Sequence, residues 1–129
     1  MEETINKSWS FRVRQLIAIF VQRLRYYMYR MKGYDIQPST QIERNVGFDR
    51  INPRGIHIGK DCIITSGVTI LSHNLIPISY IDKEGCARVR YVGTKIDTYI
   101  GDNCVIGIKA IVKQGVHIGK NCVVGFGSV

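Results

Sequence analysis

From Ile100 onward the chain reads IGDNCV IGIKAI VKQGVH IGKNCV VGFGSV, with an aliphatic residue leading every block of six: Ile100, Ile106, Val112, Ile118 and Val124. The fifth position of each block is small or modest in size (Cys104, Ala110, Val116, Cys122, Ser128), and Gly follows the lead residue in four of the five blocks. A period of six is neither the 3.6 of a helix nor the 2 of a strand, so short strands joined by tight turns are predicted. If each hexad forms one flat side and three sides close a coil of about eighteen residues, the lead residues stack inside a prism and the fifth residues fill its corners. Gly and Asn then serve the turns, where a positive φ costs them little.

The same phase continues upstream through Ile58, Ile64 and Ile70. Ile70 and Ile100 are separated by a whole number of hexads, but the intervening blocks do not fit the pattern, so residues 74–93 are read as an excursion that leaves the prism and returns in register. Within it, Ile78 to Ile81 and Ala87 to Val92 read as a β-hairpin turning at Asp82 to Gly85. Ile36, Ile42 and Phe48 carry a fainter version of the period, offset from Ile58 by four extra residues, which predicts a bulge or insertion in the first coil. Pro38, Pro53, Gly55, Asn45 and Asn52 punctuate this stretch as turn residues.

The first thirty or so residues have a different rhythm. Val13, Ile17, Phe20, Leu24, Tyr27 and Met31 repeat at four-three spacing and predict a helix with one apolar stripe, capped at Ser8 or Ser10, running to about Lys32 and stopped by Gly33. Arg14, Arg25 and Lys32 border one side of the stripe and Arg12, Arg23 and Arg30 the other. The chain is thus divided into a basic amphipathic helix over residues 1–34 and a prism over 35–129.

Charge sharpens that division. The net charge of +8 comes from 18 basic and 10 acidic residues, yet between Thr4 and Tyr34 there are seven bases and no acid. Two settings suit such a helix: packing on the prism end or on sister helices, or lying through residues 8–32 on an anionic membrane surface. Bases that flank an apolar stripe, rather than interleave with it, do not suit nucleic acid. The longest apolar run near the start, Leu16 to Val21, is too short for a signal sequence or a membrane span. Cys62, Cys104 and Cys122 all occupy the small fifth position, and no CxxC occurs, so the thiols read as packing residues in a reducing, cytoplasmic setting and not as metal ligands. Of the three histidines, His57 and His117 immediately precede a lead isoleucine and read as exposed surface residues. His73 stands apart, where the hexads break and the hairpin starts.

The tandem hexads IHIGKDCIITSGVTILSHN and TYIGDNCVIGIKAIVKQGVHIGKNCVVGFGSV resemble the hexapeptide-repeat acyltransferases, in particular the branch that O-acetylates sugars, polysaccharides and some antibiotics. The resemblance implies an all-β domain, a left-handed parallel β-helix with an N-terminal helix and a protruding hairpin. It implies an acetyl-CoA-dependent O-acetyltransferase acting on a hydroxyl of a sugar or polysaccharide precursor, assembled as a homotrimer with acetyl-CoA between neighbouring prisms and no metal. His73 matches the general base. Ile108 and Phe126 match positions beside the pantetheine arm, with Gly107 allowing close approach and Lys109 and Lys113 pointing outward toward the CoA phosphates. Asn45, Asn74 and Arg88 are the candidates for holding the acceptor. Relatives continue past GSV with a closing segment that contacts CoA; the sequence given stops at Val129, so the last coil is read as open and its CoA binding as weak. The alternatives are a non-catalytic trimeric scaffold and a truncated, inactive acyltransferase. A γ-type carbonic anhydrase is disfavoured, because its zinc site needs a close histidine pair that the spacing of His57, His73 and His117 does not provide.

Overall fold

The computed structural model describes the backbone of residues 2–129, and the side chains from Trp9 onward. Helix α1 spans Glu2–Met31. Ser8 and Ser10 therefore lie inside the helix, and neither caps it as the sequence suggested. The stop at Gly33 is a left-handed one: Gly33 has φ +95°, its N–H donates to Arg30 O at 3.0 Å, and the Tyr34 N–H donates to Tyr29 O at 3.2 Å. This paired closure satisfies the last helical carbonyls with a residue that accepts positive φ without a Cβ penalty.

Beyond the helix, short strands wind into three parallel sheets. The first face holds β1 (Asp35–Ile36), β4 (Ile56–Ile58), β9 (Thr98–Ile100) and β12 (His117–Ile118). The second holds β2 (Gln41–Ile42), β5 (Ile63–Ile64), β10 (Val105–Ile106) and β13 (Val123–Val124). The third holds β3 (Gly47–Phe48), β6 (Thr69–Ile70) and β11 (Ile111–Val112). Lead residues pair with lead residues on every rung, such as Ile36 with Ile58, Ile58 with Ile100 and Ile64 with Ile106. The fold is the left-handed parallel β-helix. Ile36, Ile56, Ile64, Ile70, Ile106 and Val68 are the largest apolar side chains buried in it. Cys62 and Cys104 are fully buried at successive coils, each Sγ set against a backbone carbonyl of the coil above at 3.0 Å.

The three corners of the prism are not alike, and the difference positions the site. Between the first and second faces, Asp61, Asn103 and Asn121 occupy one left-handed turn position in successive coils, with φ of 55° to 57°. Between the second and third faces the same position is held by Asn45, Gly67, Lys109 and Gly127. Between the third and first faces only the upper coil has a tight turn, at Gly115. In the first coil the chain inserts four extra residues there, forming a short 3-10 turn at Pro53–Gly55, and this is the source of the register offset expected from sequence. In the second coil it leaves altogether as a hairpin, β7 (His73–Ile81) paired with β8 (Ala87–Lys95). These strands are longer than the sequence suggested and bring His73 to the foot of the hairpin, opposite Lys95. The Ile96 N–H donates to Ser72 O at 3.0 Å and the buried Thr98 hydroxyl to Leu71 O at 2.6 Å, so exit and return are tied together. Both interruptions therefore fall on one corner, one above the other.

Candidate active site at the interrupted corner

Asp49 follows the lead residue Phe48, at the start of the four-residue insertion, and its side chain has no solvent exposure. A buried carboxylate has to be compensated by donors, and four N–H groups surround it, with the Ser72 hydroxyl 3.3 Å from Oδ2. Oδ1 accepts from the N–H of Ile51 at 2.9 Å and of Asn52 at 3.4 Å. Oδ2 accepts from the N–H of Ser72 at 2.8 Å and from Nδ1 of His73. Burial alone would raise the Asp49 pKa; the hydrogen bonds from His73 and from the Ser72, Ile51 and Asn52 N–H groups outweigh it and bring the value down to about 2. Asp49 is an anion at neutral pH.

An anionic acceptor at Nδ1 fixes the imidazole. The neutral ring carries its proton on Nδ1, and Nε2 is left with a lone pair. His73 is itself mostly covered, at 18% side-chain exposure. The backbone beneath it is braced by Asn52, whose amide donates to Ser72 O at 3.0 Å, and by the Ser72 hydroxyl, which donates to Asn52 O at 2.6 Å. Asn52 is thus a buried brace, where the sequence suggested an ordinary turn residue. Its amide needs the space left by Gly55, since a Cβ there would sit 2.1 Å from Asn52 Nδ2. Ser72 is fully buried and spent in these bonds, so it is no nucleophile.

Asp49 and Asn52 were missed by sequence reasoning, which looked for chemistry only at positions that the repeat or a family motif could name. A signal did exist. The two breaks in the hexad period, after Phe48 and after Ser72, fall on the same corner, so side chains near one break meet those near the other.

The remaining candidates are distributed over the molecule. Lys113 lies on the same corner as His73, one coil above, where its carbonyl faces the Thr98 hydroxyl at 3.4 Å. Gly107, Ile108, Lys109 and Phe126 lie on the corner between the second and third faces, with Ile108 at 45% and Phe126 at 80% exposure. Asn45 is on that corner as well, in the lowest coil, and the chain does not bring it to His73. Nor does Arg88 reach the site: it pairs with Tyr80 near the hairpin tip and donates from Nε to Asp82 Oδ2 at 2.9 Å, while His73 is at the opposite end of the same ladder. Asn74 is adjacent to His73 and partly covered, opposite Thr94. His57 is not the exposed residue expected. Its ring contacts Asp35 Oδ2 at 2.9 Å and Asp97 Oδ2 at 3.3 Å and stacks on Tyr99 at 4.4 Å between centroids, 9° from parallel. His117 is exposed and tilts against the other side of Tyr99. Among the described residues no group of three His, Cys, Asp or Glu side chains is arranged to hold a metal ion.

Gly107 has a structural reason independent of any cofactor. A Cβ would stand 2.6 Å from Val124 O, 2.7 Å from Phe126 Cδ1 and 2.8 Å from Gly125 C. Because two of these are backbone atoms of the next coil, Gly107→Ala is expected to push the coils apart and destabilise the protein by about 1–3 kcal/mol. Thermal unfolding checks this, and a melting temperature equal to the parent's would show that the upper coil shifts freely.

Comparison with known proteins agrees with this architecture. Residues 97–129 match the family model described as bacterial transferase hexapeptide (six repeats), and residues 42–72 match that of the hexapeptide repeat of succinyl-transferase. A search of curated proteins found no match. Among solved structures the fold is similar to a maltose O-acetyltransferase from Clostridium difficile 630, with a TM-score of 0.50 and 22% identity over 80% of this chain and 62% of that one. A serine acetyltransferase isoform 3 from Entamoeba histolytica, solved with cysteine, matches with a TM-score of 0.34 and 23% identity over 85% of this chain and 35% of that one. The chain thus spans less than two thirds of the length of either. Hexapeptide models match on both sides of the hairpin and lead residues keep their register through every coil, so the chain carries hexapeptide repeats similar to those of the bacterial transferases.

Proposed function

We propose that this chain is the catalytic body of an acetyl-CoA-dependent O-acetyltransferase whose acceptor is a hydroxyl of a sugar or polysaccharide precursor. The observation that carries the reading is the Asp49–His73 pair at the interrupted corner. A sugar hydroxyl is a weak nucleophile at neutral pH, and an imidazole nitrogen within hydrogen-bond reach takes its proton as it attacks the thioester carbonyl. In the Nδ1–H tautomer that Asp49 holds, Nε2 of His73 presents the lone pair which that step needs, and the imidazolium that forms is stabilised by the Asp49 carboxylate behind it. The acetyl group passes directly from sulfur to oxygen. The tetrahedral oxyanion draws on backbone N–H donors of neighbouring turns, and the thiol of CoA leaves with the proton returned by His73.

The cofactor candidates suggest how the site is completed. Ile108, Lys109 and Phe126 stand on one corner of the prism and His73 and Lys113 on another. A homotrimer with prisms side by side sets one protomer's corner against its neighbour's, giving acetyl-CoA a groove with the cofactor residues on one wall and the base on the other. Asn74, beside His73, is then the nearest acceptor-holding candidate, whereas Asn45 and Arg88 could contribute only from a neighbouring copy. Free thiols at the packed corners suit a reducing, cytoplasmic setting.

The test is an acetyl-CoA turnover assay against a panel of mono- and oligosaccharides, read by release of free CoA, with sedimentation in parallel. Sugar-dependent CoA release by a trimer is expected. A trimer that neither binds CoA nor turns it over would favour the scaffold alternative, and an active monomer would refute the shared groove.

A further inference from the structure

The apolar stripe of helix α1 is turned away from the prism. What the fold takes from the helix is its opposite face: Tyr29 packs edge-on against Phe48 and Tyr34, with centroids 4.9 and 5.9 Å apart, and Arg25 donates to Ile42 O at 3.1 Å. On the far side Trp9, Leu16, Phe20, Tyr27 and Met31 are 61% to 82% exposed. A row of large apolar side chains this exposed needs an occupant. Packing on the prism end, one of the settings open from sequence, is thereby excluded for the stripe.

Charge separates the two occupants that remain. Arg12, Arg23 and Arg30 run along one edge of the stripe and Arg14 and Lys32 along the other, where Arg25 turns to the prism, with no acidic residue between Glu3 and Asp35. A second copy of the helix laid on the stripe would bring rows of arginine against rows of arginine, and the helices themselves supply no carboxylate along those rows; only Arg30 has one beside it, Asp35 Oδ1 at 3.5 Å. A layer of lipid phosphates supplies the missing countercharge, and the acyl boundary beneath it takes the apolar side chains. No helix of the described residues is long and apolar enough to cross a membrane. We propose that α1 docks the protein on an anionic lipid surface, lying in the plane of the headgroups with the prism held above it. This inference does not depend on the acetyl-transfer reading.

Trp9 is the only tryptophan and lies on the stripe, so its fluorescence reports the docking directly. The full chain is mixed with vesicles of phosphatidylcholine alone or of phosphatidylcholine doped with phosphatidylglycerol. Co-sedimentation and a blue shift of Trp9 emission are expected with the doped vesicles only, and both should weaken as salt screens the charges. Replacing Arg12, Arg14 and Arg23 together by Gln is expected to lower vesicle affinity by about two orders of magnitude, at about fivefold per cation. Because these side chains are exposed, circular dichroism and melting temperature should not change. A second variant, Leu16→Ser with Phe20→Ser, should abolish the blue shift and leave the cations in place. Equal binding to both vesicle types, or no binding to either, overturns the proposal. A Trp9 emission already blue-shifted without lipid and shielded from an aqueous quencher overturns it too, since a second copy then covers the stripe.

Discussion

Replacing His73 by alanine is expected to lower acetyl transfer by roughly 10²- to 10⁴-fold, the range that positioned general bases supply, while CoA affinity, circular dichroism and oligomeric mass stay near the parent's. The structural reason is local. His73 sits at the foot of the hairpin, where its backbone is held by the β7–β8 ladder and by the Asn52–Ser72 hydrogen bonds, none of which uses the imidazole. The inward stack of Ile58, Ile64 and Ile70 lies elsewhere in the coil. His57→Ala and His117→Ala are the controls, with unequal costs. His117 is exposed, so its loss should be silent, whereas His57 bridges Asp35 and Asp97 and should cost some stability without a turnover defect. Full activity in His73→Ala, measured by sugar-dependent CoA release, would remove the base from the mechanism.

The second large effect is expected at Asp49. Asp49→Asn keeps the shape but turns one acceptor oxygen into an amide donor, and either orientation of that amide faces N–H groups on both sides, those of Ile51 and Asn52 or those of Ser72 and His73. If the amide faces His73, the ring must accept at Nδ1 and carry its proton on Nε2, which is the wrong tautomer for a base. The analogous carboxylate-to-amide change in serine proteases costs about 10⁴ in turnover, and a loss of 10² or more is expected here, with about 1–3 kcal/mol of stability lost to the unsatisfied donors. Acid sensitivity gives an independent readout. The folded-state pKa of Asp49, about 2, lies below that of an unfolded aspartate at about 3.9. Its contribution to stability is therefore fully present above about pH 4 and disappears as pH falls through 2. Melting temperatures followed from pH 5 to pH 2 should fall more steeply in the parent than in Asp49→Asn. Parallel acid curves with undiminished turnover would show that the carboxylate neither holds the ring nor is ionised by it.

The parts of the molecule that were legible in the sequence are those in which one residue in six must be buried and aliphatic. Ile58, Ile64, Ile100, Ile106 and Val112 announce the prism because each leads its block into the core, with a smaller residue such as Cys62, Val68, Cys104 or Ala110 buried four places on in the blocks of the first four. The hairpin was visible as a gap in that period and α1 as a change of rhythm. What the period does not encode is the content of its own interruptions. Asp49 and Asn52 belong to four extra residues for which the repeat assigns neither an inward nor an outward direction, so their meeting with Ser72 and His73 emerges only when the coils are stacked. The same limit applies to Arg88, whose distance from His73 along the hairpin depends on where the ladder starts. His57 was misjudged for a related reason: an outward position in one coil becomes a packed one when Asp35 and Tyr99 occupy the same outward position in the coils below and above.

The unequal corners also bear on how such a chain can change over time. At two of them the backbone passes from face to face through a left-handed turn whose position repeats coil after coil, so one added residue would displace every lead side chain above it. At the third, Ser72 and Ile96 are bonded across the base of the hairpin, and the coil above cannot sense how many residues lie between them. That junction works as a socket. Segments of other lengths and compositions can be exchanged there while the stack beneath keeps its register, and because His73 stands at the rim, each exchange alters what surrounds the imidazole without disturbing the carboxylate that orients it.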